Sequence, residues 1–262
     1  MEIEVQRVET LWHGVRLSHR EAGQGWPLVL LHGGGGTGKA FWYQLQSLSD
    51  RWRVLTPDLP GFGRSELVPG VGQIDGLAGV LLEWMAAIGI DRMALGGNSM
   101  GGRVALAAAV SAPERLSHLI LLDAVGVHLP DVPIVNPLTV PQERFVAALV
   151  RDPDHYRKTT PYRTLEDAQE LNAGRAAFAR YLSAAPIGPD RSPDLERATM
   201  PTLLIWGRHD QIVPVPYGRA LAERMPDAEL VVLETAGHLP HIEEAALVNR
   251  LIADFLQRRP PA

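Results

Sequence analysis

The stretch Leu95-Gly96-Gly97-Asn98-Ser99-Met100-Gly101-Gly102 constrains this chain more than any other. An apolar run, Met93 to Leu95, leads into it, and a helix-compatible run, Val104 to Val110, leads out. Between them lies Gly-x-Ser-x-Gly, formed by Gly97, Ser99 and Gly101. A serine in a sharp strand-to-helix turn is driven towards positive φ, a costly conformation for a residue with a Cβ. Glycine two positions to either side removes side chains that would collide in so tight a turn. The turn lifts the hydroxyl out of a sheet, and the next helix aims its first amides at whatever that hydroxyl attacks. A glycine-rich turn holding an ordinary serine reads the same, so the assignment depends on the rest of the chain.

Further apolar runs have the form of buried parallel strands: Pro27–Leu31, Val54–Thr56, Leu119–Asp123, Thr202–Trp206 and Leu230–Leu233. Alternation before them predicts two antiparallel strands, Ile3–Val8 and Val15–Glu21. Helical spacing predicts a helix over about 40–48, another striped by Leu77, Leu81, Trp84, Met85 and Ile88, and a last one striped by Leu247, Leu251 and Phe255. Strands alternating with helices give an α/β fold with a mostly parallel sheet covered on both faces. Residues 128–198 break the rhythm. They carry no strand run; prolines 130, 133, 137 and 141 come early, then helical spacing at Phe145 and Leu149 and from Thr164 to Leu182. Thr164 and Asp167 have the spacing of a capping pair. The expected organisation is a core of 1–127 and 199–262 with a helical lid inserted at 128–198.

Composition narrows the function. The 262 residues carry a net charge of −5 and no basic run, which disfavours nucleic acid. With no cysteine, disulfides, thiolate metal sites and a cysteine nucleophile are excluded. The acidic, alternating start is unlike a signal peptide, and no apolar run reaches membrane-spanning length. The expectation is a cytoplasmic enzyme with no membrane partner; the sequence leaves a homodimer open.

A serine hydroxyl needs a base, and the base an orienting acid. Both belong at the carboxyl ends of later strands, where open α/β sheets bind ligands. Gly207-Arg208-His209-Asp210 follows one such strand, and Glu234-Thr235-Ala236-Gly237-His238-Leu239-Pro240 the next. This gives the order Ser99, Asp210, His238. His118, His128, His209 and His241 are rival bases, Asp123 is the runner-up acid, and Asp58 suits loop geometry. The oxyanion hole needs two backbone N–H groups. Met100, just after the serine, supplies one, and Gly34 in the glycine run after the third strand supplies the other, with Gly35 its neighbour. No metal or organic cofactor is required. Gly33-Gly34-Gly35-Gly36-Thr37-Gly38-Lys39 imitates a phosphate loop, but Ala40 stands where a metal-binding hydroxyl is needed.

The chain resembles the α/β-hydrolase superfamily along nearly its whole length. The resemblance rests on His32-Gly33-Gly34, Asp58-Leu59-Pro60-Gly61-Phe62-Gly63-Arg64-Ser65, Gly97-Asn98-Ser99-Met100-Gly101-Gly102, Trp206-Gly207-Arg208-His209-Asp210 and Gly237-His238. It implies an eight-stranded sheet and makes the insertion a lid over the active site. Gly-Asn-Ser-Met-Gly-Gly with His-Gly-Gly-Gly is similar to the carbon–carbon hydrolases that cleave ring-fission dienones, in which a lid arginine grips the substrate carboxylate. Arg175 matches that arginine, with Arg180 second. Gly35, Asn98, Arg175 and Leu239 are thus the candidate substrate-binding residues. Gly36, Tyr43 and Leu239 depart from the branch pattern of proline, asparagine and tryptophan. Hydrolysis of a small carboxylic ester is therefore ranked slightly ahead of carbon–carbon cleavage. A ligand receptor on the same fold is the reading of another class.

Overall fold

A computed structural model describes residues 3–184, 190 and 192–260. Eight strands form one sheet in the order β1-β2-β4-β3-β5-β6-β7-β8. They are β1 (Gln6–Trp12), β2 (Val15–Ala22), β3 (Pro27–Leu31), β4 (Arg53–Asp58), β5 (Met93–Asn98), β6 (Leu116–Leu122), β7 (Thr202–Gly207) and β8 (Ala228–Leu233). The pairs β1–β2 and β2–β4 are antiparallel, and every later pair is parallel.

The central strands are apolar throughout because both faces are covered. Along β3, Val29 and Leu31 point to the side of α2 (Gly76–Ala87) and α3 (Met100–Ser111). Leu28 and Leu30 point to the other side, with α1 (Trp42–Leu48) and α9 (Ala245–Arg258). This period of two gives the molecule two apolar cores, one on each face of the sheet. No helix of the described residues is long and apolar enough to cross a membrane.

The first strand departs from the expected Ile3–Val8. His13 and Gly14, at φ 48° and 79°, make a two-residue hairpin turn that pairs Trp12 with Val15. The turn chemistry fixes the register and carries β1 up to Trp12. On α9 the buried residues are Val248, Asn249, Ile252, Phe255 and Leu256, whereas Leu247 and Leu251 are partly covered at the edge of that face. Of the expected stripe, Phe255 lies on the buried face, and Leu247 and Leu251 lie one residue off it.

Between β6 and β7 run α4 (Gln142–Leu149), α5 (Pro153–Thr159) and α6 (Leu165–Ala184). Residues 185–189 and 191 of this insertion lie outside the described residues. α6 begins with the expected box: Asp167 N–H donates to Thr164 Oγ1 at 3.1 Å, and Thr164 N–H to Asp167 Oδ2 at 2.8 Å. Two further helices, α7 (Val215–Ala222) and the short α8 (Pro240–Glu243), follow β7 and β8.

Candidate active site

Ser99 sits at the joint of β5 and α3 with φ 53° and ψ −114°, the strained conformation expected of it. Two features hold the strain in place. Ser99 N–H donates to Leu122 O at 3.0 Å, and its carbonyl accepts from Arg103 N–H at 3.1 Å. Gly97 and Gly101 face each other across the turn so closely that a Cβ on Gly97 would collide with the Gly101 carbonyl. Met100 N–H is the first amide of α3, and no side chain caps that helix end. Its positive pole is therefore turned towards the serine.

Asp210 and His238 come from the loops after β7 and β8. His238 Nδ1 lies 2.7 Å from Asp210 Oδ2, with both side chains buried. The other oxygen, Oδ1, accepts from Ile212 N–H at 2.7 Å and Val213 N–H at 2.9 Å, fixing the carboxylate plane. The elbow and the histidine loop are tied together by Asn98. Its amide donates to His238 O at 2.9 Å and to Leu122 O at 3.1 Å. That commitment differs from the substrate-binding role expected for Asn98: the side chain is buried, and its N–H groups are occupied by backbone.

Gly33 packs on the elbow, where an added Cβ would lie 2.8 Å from Asn98 Oδ1 and 3.4 Å from Ser99 Cβ. The loop is braced from behind by buried His32. Leu59 N–H donates to His32 Nε2 at 3.1 Å, so the proton belongs on Nδ1, which donates to Gly33 O at 2.8 Å. Burial depresses the His32 pKa and keeps the ring neutral. Gly34 lies under the Phe178 ring, which a Cβ there would overlap. Gly35, at φ 78°, abuts Arg175. The exposed Arg175 guanidinium stands 5.7 Å from the Phe145 ring centroid. Arg180 is also exposed, one turn further along α6. Leu239 is partly buried beside His238, at the start of α8.

The rivals separate clearly. His128 and His209 are exposed. His118 is buried on β6, where its ring meets Phe255 edge-on. His241 is stacked on Phe41, and burial with the nearby His238 holds its pKa down to about 3. Asp58 accepts from Gly38 N–H at 2.8 Å and Arg64 N–H at 3.2 Å, which is loop geometry. Asp123, by contrast, is buried against Asp210.

The phosphate-loop imitation is occupied by the insertion. Lys39 Nζ pairs with Asp167 at 2.7 and 2.9 Å. The Tyr162 hydroxyl donates to Thr37 O at 3.2 Å and accepts from Thr37 N–H at 3.1 Å.

Three participants escaped the sequence. Phe178 belongs to the stripe Gly174, Ala177, Phe178, Tyr181 at helical spacing, a signal present in the chain. Tyr162 gives no such signal. Glu243 accepts from Gly237 N–H at 2.9 Å and Arg151 N–H at 2.8 Å, joining the histidine loop to the insertion. His238 N–H also donates to Leu149 O at 2.7 Å. Helix α8 gives Glu243 that position, and a four-residue helix leaves little periodicity to read.

Known proteins are similar to this chain in sequence and fold. The chain is 33% identical to a 2-hydroxy-6-oxononadienedioate/2-hydroxy-6-oxononatrienedioate hydrolase of Burkholderia vietnamiensis, over 93% of this chain and 92% of that one. It is 33% identical to a 2-hydroxy-6-oxo-6-phenylhexa-2,4-dienoate hydrolase of Burkholderia cepacia, over 92% and 91%. A malate-bound thermophilic esterase of Thermogutta terrifontis superposes with a TM-score of 0.78 at 28% identity, covering 97% of this chain and 98% of that one. The alpha/beta hydrolase family matches residues 28–251. The fold, the elbow at its centre and this span agree: the chain belongs to the alpha/beta hydrolase family of enzymes.

Proposed function

We propose that the protein hydrolyses a small carbonyl substrate through Ser99, His238 and Asp210. The observation that carries this reading is the strained serine at a helix start, with Asn98 tying its turn to the loop of a buried imidazole held 2.7 Å from Asp210. Ser99 Oγ attacks the carbonyl carbon while His238 Nε2 takes its proton. Asp210 keeps Nδ1 protonated and stabilises the imidazolium. The amides of Met100 and Gly34 receive the developing oxyanion. His238 then protonates the leaving group and activates water against the acyl-enzyme.

The insertion acts as a lid in this proposal. α6 lays Phe178 over Gly34 and sets Arg175 beside Gly35. Arg175 is exposed and forms no ion pair among those described, so it is free to meet a substrate carboxylate at the mouth of the site. The relatives named above act on dienoates, which carry such a group. We therefore favour carbon–carbon cleavage of a 2-hydroxy-6-oxo-dienoate, after its conversion to the keto form. Ester hydrolysis is the second reading, supported by the departures at Gly36, Tyr43 and Leu239 and by the esterase at 28% identity. The Tyr43 hydroxyl, where the branch carries asparagine, donates to Thr159 O in the insertion and holds the lid instead. A cytoplasmic location belongs to the same proposal, and cell fractionation tests it.

One panel separates the readings: a ring-fission dienone followed by loss of colour, against p-nitrophenyl esters of rising chain length and lactones. Dienone kcat/KM at least about tenfold above any ester, a difference of about 1.4 kcal/mol in the barrier, supports the first reading. The reverse order overturns it. Slow single-turnover hydrolysis of every substrate would instead favour a receptor.

A further inference from the structure

The loop after β6 brings a second carboxyl group to the acid end of the site. Asp123 is fully buried and, at φ 45°, occupies the left-handed region that a residue with a Cβ avoids. Strain of this kind persists where surrounding contacts impose it. Here Gly207 N–H, at the end of β7, donates to Asp123 Oδ1 at 2.9 Å. One oxygen each of Asp123 and Asp210 and a ring nitrogen of His238 lie within 4.8 Å of one another. Asp123 Oδ2 is buried with no hydrogen-bond partner if it is counted as an acceptor.

We propose that Asp123 is a positioning residue: a neutral acid that donates from Oδ2 to Asp210, and a substitute acceptor for His238 Nδ1–H when Asp210 is neutralised. This rests on the reading of Ser99, His238 and Asp210 given above. The donated hydrogen bond gives the orphaned Oδ2 a partner and adds a fourth contact to Asp210, beside those of Ile212, Val213 and His238. The charge balance agrees. The titratable groups facing Asp123 are Asp210 after β7, His238 after β8 and Glu243 on α8. Burial, then the charge of Asp210 and the hydrogen bond to it, push the Asp123 carboxyl well above the usual range. Asp123 thus keeps its proton, and adds no second negative charge beside the imidazole.

When Asp210 is made neutral, the main charge opposing Asp123 ionisation disappears. Asp123 then releases its proton to solvent and accepts Nδ1–H directly. Closing the gap to hydrogen-bond range takes a shift of at most about 2 Å.

The rate at which a fluorophosphonate labels Ser99 reads this without a natural substrate. Asp123→Asn keeps both the acceptor for Gly207 and a donor for Asp210, and is expected within about threefold of the native rate. Asp210→Asn is expected to be about 10²-fold slower at neutral pH, with labelling recovering as pH rises and Asp123 ionises. The Asp210→Asn/Asp123→Asn double variant is expected to be about 10⁴-fold slower, the loss seen when a triad acid is neutralised without a substitute. It should show no alkaline recovery. Identical rates for Asp210→Asn and the double variant at every pH overturn the proposal. So does a hundredfold loss in folded Asp123→Asn. Should the double variant not fold, Asp210→Asn/Asp123→Ser takes its place in the same comparison. Full labelling of His238→Ala would instead remove the underlying catalytic assignment, an outcome distinct from failure of the Asp123 role.

Discussion

Asn98 shows how much of this site is held by a side chain bonded to backbone. Its amide joins the carbonyl before the strained loop at Asp123 to the carbonyl of His238, so one side chain sets the spacing of three strand ends. Asn98→Ala takes the side-chain donor from buried His238 O and one of two donors from Leu122 O, which keeps Ser99 N–H. The expected loss is about 1–3 kcal/mol of stability, read by urea unfolding. kcat should fall further than KM rises, because the imidazole loses its position rather than the substrate its contacts. Ser99, Asp210 and His238 were legible in the sequence because each stands just past an apolar run, and strand ends are where such folds place chemistry. Asp123 stands at such an end too, and the sequence holds nothing to say whether it rivals Asp210 or supports it. That distinction depends on the spacing between β6, β7 and β8, which only tertiary packing supplies.

α6 is the element that joins the insertion to the core. Asp167 caps it, pairs with Lys39 and accepts from Arg163 N–H at 2.7 Å. Burial alone would raise this carboxyl, but Lys39 and the amides of Arg163 and Thr164 take it down to about 2. A carboxyl depressed in the folded state stabilises it in full above the unfolded pKa, near 3.9, and that stabilisation is lost as pH falls to about 2. Protease cleavage within α6 should therefore accelerate between about pH 4 and pH 2. Asp167→Asn should cleave fast at neutral pH and show little further change on acidification. Equal cleavage of both proteins at pH 7 would contradict this anchoring role. The capping box was visible as Thr164 and Asp167. The partner of Asp167 was not, because Lys39 lies 128 residues away in a loop whose pattern imitates something else. The first strand runs past its expected end for a local reason: alternation marks a strand, while the His13-Gly14 turn decides where it ends.

Among the described residues of the whole molecule, several buried histidines and carboxyls are shifted towards their neutral forms, beside buried ion pairs such as Arg20–Asp58 and Arg103–Asp75. His19, His32, His118 and His241 are buried with depressed pKa values, burial being the largest cause for each. Asp58, Asp123 and Glu243 are raised, again by burial first. The two groups act in opposite directions on acid stability, so a single histidine is isolated by substitution. A histidine depressed to about 3 costs nothing above the unfolded pKa near 6.5; below it the unfolded chain binds the proton first, and stability falls until about pH 3. His241→Gln should therefore be less stable than the native protein at pH 7.5, with the gap narrowing as pH falls to 4. A constant gap in thermal unfolding would show that His241 takes up its proton as readily in the fold as in the unfolded chain, and would contradict the depressed pKa. At this scale the sequence was most readable, because six apolar runs, two alternating strands and the intervening stripes specify the alternating layers. The docking of the insertion was least readable, since single side chains such as Tyr162 and Phe178 determine it.

The central claim is that Ser99 is the nucleophile. It is tested most directly by treating the native protein with a fluorophosphonate, mapping the adduct by peptide mass, and assaying Ser99→Ala on the ester and dienone panel. The account predicts one adduct, on Ser99, and loss of turnover in Ser99→Ala by at least about 10³-fold. An adduct elsewhere, or turnover by folded Ser99→Ala near the native rate, would contradict it.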